Sequence, residues 1–139
     1  MSKSAEMLKC FESIQPLKKA YEAYSEMLEE LRESAERNQD PRFKKLNADQ
    51  IRILEEQKEQ AGNVYLETRE KAEAYLCEIE KKDLFISSLI RLHYCVGFSW
   101  KTVSDCVGWK TRRASEIKVQ RFFQKLEAEE RRTGRNEQT

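Results

Sequence analysis

The sequence predicts an all-α protein, built as a long N-terminal helical hairpin of coiled-coil character followed by a C-terminal helix-turn-helix unit. Three observations predict it. Only 4 Gly and 2 Pro stand in 139 residues, while Glu, Lys, Arg, Leu and Ala are abundant, a composition that favours helix. Apolar residues recur at alternating spacings of three and four between Leu17 and Ile79. Two glycines, Gly97 and Gly108, frame the short half-apolar segment "FSWKTVSDCV", and a burst of positive charge follows. A mean hydropathy of -0.84 with 37% charged residues suits helices whose outer faces stay wet.

Taken in order, a short helix is expected over 4–14 with Ser4 as its cap. Pro16 then fits the first turn of a longer helix, where its missing N–H is no loss. Leu17, Tyr21, Tyr24, Leu28, Leu31 and Ala35 form a heptad seam flanked by Glu and Lys. "NQDPRFKK" breaks that seam, because the residue before Pro41 is pushed out of the helical region. Asn47 and Gln50 match a capping box for a second helix, expected over 48–82 and about 50 Å long at 1.5 Å per residue. Its seam runs through Ile51, Leu54, Ala61, Tyr65, Ala72, Tyr75 and Ile79, diluted by Lys58 and Thr68 and weakened at Gly62. The two seams can face each other within one hairpin, or serve a dimeric coiled coil, or both.

Asp83 is placed to cap a third helix, "LFISSLIRLHYCVG", which Gly97 ends as a C′ residue. Ser99 caps a short fourth helix closed by Gly108, and a fifth is expected from about Thr111 to Arg131. The chain thus divides into a hairpin over 1–82 for dimerisation or partner binding, a helix-turn-helix unit over 83–132, and a flexible tail over 133–139.

Charge is unevenly distributed. Residues 1–83 carry 15 Lys and Arg against 19 Asp and Glu, a net of −4, whereas residues 84–139 carry 11 against 6, a net of +5. Only the C-terminal part is suited to meet a polyanion. Other chemistry finds no foothold. Cys10, Cys77, Cys95 and Cys106 form no CxxC, and His93 is the single histidine, so no zinc site is expected. The N-terminus lacks the apolar core of a signal peptide and no window reaches membrane-spanning length, which points to a cytoplasmic protein with reduced thiols. There is no phosphate-binding glycine loop, no HExxH, and no nucleophile with a credible partner set. No enzymatic activity, cofactor or small-molecule substrate is expected.

The segment between the glycines meets the demands of a helix-turn-helix residue by residue. Val103 and Val107 are apolar and one turn apart, and Ser104 is small where two helices approach. Gly108 tolerates positive φ. Trp109 can plug the angle, and Ala114 and Ile117 supply a buried stripe on the second helix. Lys110, Thr111, Arg112, Arg113, Ser115, Glu116, Lys118 and Arg121 are left to face outward. Lys, Arg and Thr at a helix N-terminus suit phosphate contacts, and Arg can fork onto guanine. Glu116 can accept from a cytosine amino group, or simply repel phosphate. The bland alternative is an ordinary solvated basic face. Tyr94 and Trp100 read as core packing, and His93 as a packed or surface residue.

The stretch "LIRLHYCVGFSWKTVSDCVGWKTRRASEIK" resembles the C-terminal part of small phage regulators of the RinA/ArpU type, relatives of sigma-factor region four. Ile90 stands at the pattern's leading leucine, and Tyr94, Gly97, Ser99, Trp100, Val103 and Gly108 fit it, with "YCVGFSW" the most specific part. Trp109 replaces a tyrosine. Ser104 stands where that family has alanine, Lys110 where it has a capping serine, and Ala114 where it has valine. The resemblance implies a phage- or prophage-type transcriptional regulator that binds double-stranded DNA, with a homodimer expected and RNA polymerase a further candidate partner. The alternatives are a protein-interaction module whose helix-turn-helix is structural, and a phage packaging subunit.

Overall fold

Pro41, not Pro16, is the proline that starts a helix. In the computed structural model, which describes residues 2–137, the first helix, α1, runs unbroken over Lys3–Arg37 with Pro16 inside it. The expected break between a short helix over 4–14 and a longer one is absent. Met7, Phe11 and Ile14 are buried and continue the seam of Leu17, Tyr21, Tyr24 and Leu28 without a change of phase. Helix continuity keeps that whole stripe in one register, which outweighs the ~3 kcal/mol that an interior proline costs. Ser4 is not the cap either. Ser2 fills that role, its Oγ accepting from Ala5 N–H at 3.2 Å.

The second helix, α2, spans Pro41–Lys82, so Asn47 lies inside it and caps nothing. Asp40 accepts from the Arg42 N–H at 3.0 Å and from its guanidinium at 2.7 Å, so the carboxylate before the proline starts the helix seven residues ahead of the start that the Asn47 pattern predicts. Helix α3 (Leu84–Ile90) widens into a single π turn over Arg91–Val96. Helices α4 (Trp100–Cys106) and α5 (Ala114–Glu137) follow, and there is no strand among the described residues. The architecture is all-α, a long N-terminal helix pair followed by a helix-turn-helix.

The chain forms two compact units, Pro16–Glu67 and a second made of Met1–Gln15 with Thr68–Thr139. The first is the distal part of the helix pair. Leu28 is its buried seam residue, and Arg32 pairs with Glu55 across the two helices at 2.6 Å. The weak seam positions have uses that spacing alone does not reveal. Lys58 places its Nζ 5.4 Å from the centre of the Tyr21 ring, and a Cβ on Gly62 would lie 3.2 Å from that ring. Gly62 therefore makes room for Tyr21. Because Tyr21 is 36% exposed and can swing a few tenths of an ångström, Gly62→Ala is expected to stabilise the hairpin, by up to the ~1 kcal/mol propensity difference. A lowered thermal midpoint for that variant would show the ring to be fixed.

The second unit draws its core from both sides of the expected 82/83 boundary. Its core takes Met7, Phe11 and Ile14 from α1, Ala72, Leu76 and Ile79 from α2, and Ile86, Leu89, Ile90, Val103, Val119, Phe123 and Leu126 from the C-terminal helices. Phe11, fully buried, is its hub: its ring centre lies 6.3 Å from Tyr75, 6.0 Å from Tyr94 and 6.3 Å from Phe123. Helices of seven residues cannot bury a core alone, so the two ends of the long helices complete it. The first turn of α1 is also tied to α5: Glu130 accepts from the Ser4 backbone N–H at 2.9 Å and from its hydroxyl at 3.1 Å, an anion on the positive end of a helix. Helix α5 continues to Glu137, past the expected fraying point, and the rest of the proposed tail over 133–139 lies outside the described residues.

Candidate nucleic-acid interface

Asp83 ends α2 and starts α3. Its backbone is extended (φ -158, ψ 98) and its side chain accepts from Ile86 N–H at 3.1 Å. The far end of this segment is closed by Gly97, at φ 96. A Cβ there would lie 3.0 Å from the Gln15 amide, which donates to the carbonyls of Tyr94 (3.2 Å) and Cys95 (3.1 Å). Glycine is required twice over at this position, by backbone conformation and by close approach. Three aromatic rings then lock the entry to α4. His93 stacks on Trp100 with ring centres 3.8 Å apart, Tyr94 meets Trp100 edge-on at 5.8 Å, and His93 Nδ1 lies 2.6 Å from the Phe98 carbonyl, to which it donates. Burial pushes the Tyr94 hydroxyl up to about 12.

Burial also holds His93 below its ordinary 6.5, partly opposed by its bond to Phe98 and by Glu116. A depressed folded-state value means that this contribution to stability is complete above 6.5 and is lost as pH falls through the folded value. Unfolding free energy is therefore expected to fall as pH is lowered from about 7.5 to about 5.5, and the slope is expected to flatten in His93→Phe. An unchanged slope in that variant would assign the loss to other groups.

Ser99 caps α4, its Oγ accepting from Thr102 N–H at 3.2 Å, and Gly108 turns the chain at φ 75. A Cβ on Gly108 would meet nothing within 4 Å, so its requirement is purely conformational. The angle between α4 and α5 is fixed by two buried serines. Ser104 and Ser115 are 1% and 0% exposed, with their hydroxyl oxygens 2.8 Å apart. Ser115 Oγ donates to the Trp100 carbonyl at 3.1 Å, and Ser104 Oγ accepts from the Ser115 N–H at 3.3 Å while lying 3.3 Å from the Arg112 carbonyl. Ser104 thus satisfies an orphan N–H in the first turn of α5 from the preceding helix. This is what the small residue at the crossing does.

The eight residues expected to face outward divide. Lys110, Thr111, Arg112 and Arg113 are exposed, but they lie in the turn ahead of α5 and not on a helix, since α5 begins at Ala114 and not Thr111. Lys118 and Arg121 are exposed on α5. Ser115 is not outward at all. Its polarity suggested a solvated position, but its hydroxyl is spent on Ser104 and Trp100. Glu116 is half-buried, and its carboxylate holds Arg113 at 3.4 Å. Ile117, expected in the core, is 37% exposed, because the buried face of α5 runs through Ser115, Val119, Phe123 and Leu126. Trp109 is half-buried, edge-on to Phe85 of α3 at 5.5 Å, with Lys118 Nζ 5.8 Å from its ring.

The exposed face of α5 continues into Gln120, Gln124 and Lys125. They fall outside the eight residues expected from the sequence, though spacings of three, four and seven from Arg113, Ile117 and Arg121 find them once the helix phase is known. A glutamine amide on such a face can pair bidentately with adenine. The arrangement is a helix-turn-helix whose turn carries three cations beside a helix N-terminus, a place where backbone N–H groups and the helix dipole favour an anion. Among the described residues no group of three or more His, Cys, Asp or Glu is placed to hold a metal ion, and no helix is long and apolar enough to cross a membrane. No protein-family model matches the chain, and comparison with curated proteins and with solved structures finds no match.

Proposed function

We propose that this chain is a DNA-binding transcriptional regulator of phage or prophage type, with the turn Lys110–Arg113 on the phosphate backbone and the exposed face of α5 in the major groove. The observation that carries the reading is the coincidence of three cations, Lys110, Arg112 and Arg113, with the N-terminal end of the second helix of a helix-turn-helix. The serine-locked corner supports it by holding the helix that would enter the groove at a fixed angle, and the resemblance of "YCVGFSW" to RinA/ArpU-type regulators supports it from the sequence. Lys118 and Arg121 extend the cationic surface along α5. A homodimer fits this role: it presents two such helices, and its half-sites would lie about 34 Å apart or a multiple of that.

The test is Arg112→Ala with Arg113→Ala in the full chain. Both side chains are exposed, so the thermal midpoint should stay within a degree or two while duplex affinity falls, by about tenfold or more if both make charge-assisted phosphate contacts. Unaltered DNA affinity in a folded double variant would contradict the proposal.

A further inference from the structure

An open groove of about 770 Å³ lies between the start of α3 and the side of α5. Its floor is apolar, formed by Ile86, Trp109, Ile117 and Phe122. Phe85, 42% exposed and edge-on to Trp109, extends that apolar surface at the mouth. Its rim is cationic. Lys110, Lys118, Arg121 and Lys125 line it, all exposed, and none is paired with a carboxylate among the described residues. Asp83, the carboxylate on its wall, is already committed to capping α3. From Ala114 to Lys125 the α5 wall runs about 16 Å, three helical turns.

We propose that this groove docks an acidic amphipathic helix from a partner protein, its apolar stripe on the aromatic floor and its carboxylates on the four cations. Charge complementarity selects the occupant: the rim offers positive charge without competing carboxylates, and the floor offers apolar area that a sugar-phosphate backbone cannot cover. The elongated shape between two helices suits a third helix laid along them. Phe85 adjoins this groove beside Trp109 and is no part of the proposed DNA surface, so the inference does not depend on the DNA reading. Lys110, Lys118, Arg121 and Lys125 belong to both, so a bound acidic helix and DNA would exclude one another.

The probe is a fluorescent synthetic peptide of about four helical turns. It carries leucines at i, i+3, i+4 and i+7, with glutamates elsewhere, and is compared with a scrambled peptide of the same composition. Titrated with the full chain, the amphipathic peptide should bind at least about tenfold more tightly than the scrambled one. Lys125→Glu and Phe85→Ala, each checked for native helicity by circular dichroism, should each weaken it several-fold, and Phe85→Ala should leave duplex binding unchanged. The proposal is overturned by no binding of the amphipathic peptide, by equal binding of the scrambled peptide, or by full affinity in both variants. Self-association of the chain that Lys125→Glu abolishes would assign the groove to a second copy instead, and would equally overturn it. If the peptide binds and duplex DNA does not, the DNA reading falls and the groove stands.

Discussion

Phe11→Ala is expected to destabilise the helix-turn-helix unit by about 3–5 kcal/mol, the range for removing a buried phenylalanine. Phe11 lies far from that unit in sequence but is fully buried within its core, in contact with Tyr75, Tyr94 and Phe123 from three other segments. Truncation removes the ring on which those three aromatics converge, and they cannot close the gap without moving α2 and α5. The effect is large because a domain has only about 5–15 kcal/mol of stability to lose. Both tryptophans, Trp100 and Trp109, stand in this unit, so urea unfolding followed by their fluorescence reports on it directly. The control is Met27→Ala on the helix pair, which is 50% exposed and expected to stay within about 0.5 kcal/mol of wild type. A Phe11→Ala transition coincident with wild type would mean that the N-terminal turns are not part of this core.

Ser104→Ala and Ser115→Ala are each expected to cost about 1–3 kcal/mol, and the double variant distinctly less than their sum. Removing the Ser104 hydroxyl strips the Ser115 N–H of its partner in a site that water does not reach. Removing the Ser115 hydroxyl leaves the Trp100 carbonyl and the Ser104 hydroxyl with one partner fewer. Once one serine is gone, the second has lost much of its function, so the two losses overlap. Because the pair fixes the angle between α4 and α5, duplex affinity should follow the same non-additive pattern. Strict additivity in a double-mutant cycle would mean that the two hydroxyls act independently.

What was legible in the sequence is what local chemistry decides. Asp83 and Ser99 as caps, and Gly97 and Gly108 as the residues of positive φ, follow from side-chain and backbone preferences that need no tertiary context. What was not legible depends on distant partners. Pro16 and Pro41 carry the same helix-start signal, and only Asp40 ahead of one and the continuous buried stripe around the other separate them. Ser115 reads as a surface residue until Ser104 is opposite it, and Gly62 as a flaw until Tyr21 is beside it. Phe11 and Leu76 share a compact unit with residues 84–139 for the same reason, because α3 and α4 are too short to bury a core without distant partners. Of the candidate site, the cations are legible as residue types, while the start of α5 at Ala114 puts three of the five, Lys110, Arg112 and Arg113, in a turn.

The most direct measurement is the salt dependence of binding to duplex DNA, beginning with the DNA that flanks the chain's own coding sequence. Binding is expected at low ionic strength, with the logarithm of affinity falling linearly with the logarithm of salt, at about 0.9 per phosphate contacted, and a slope reduced by roughly 2 when Arg112 and Arg113 are both alanine. Undetectable binding at low salt, or an affinity indifferent to salt and to that pair, would contradict it.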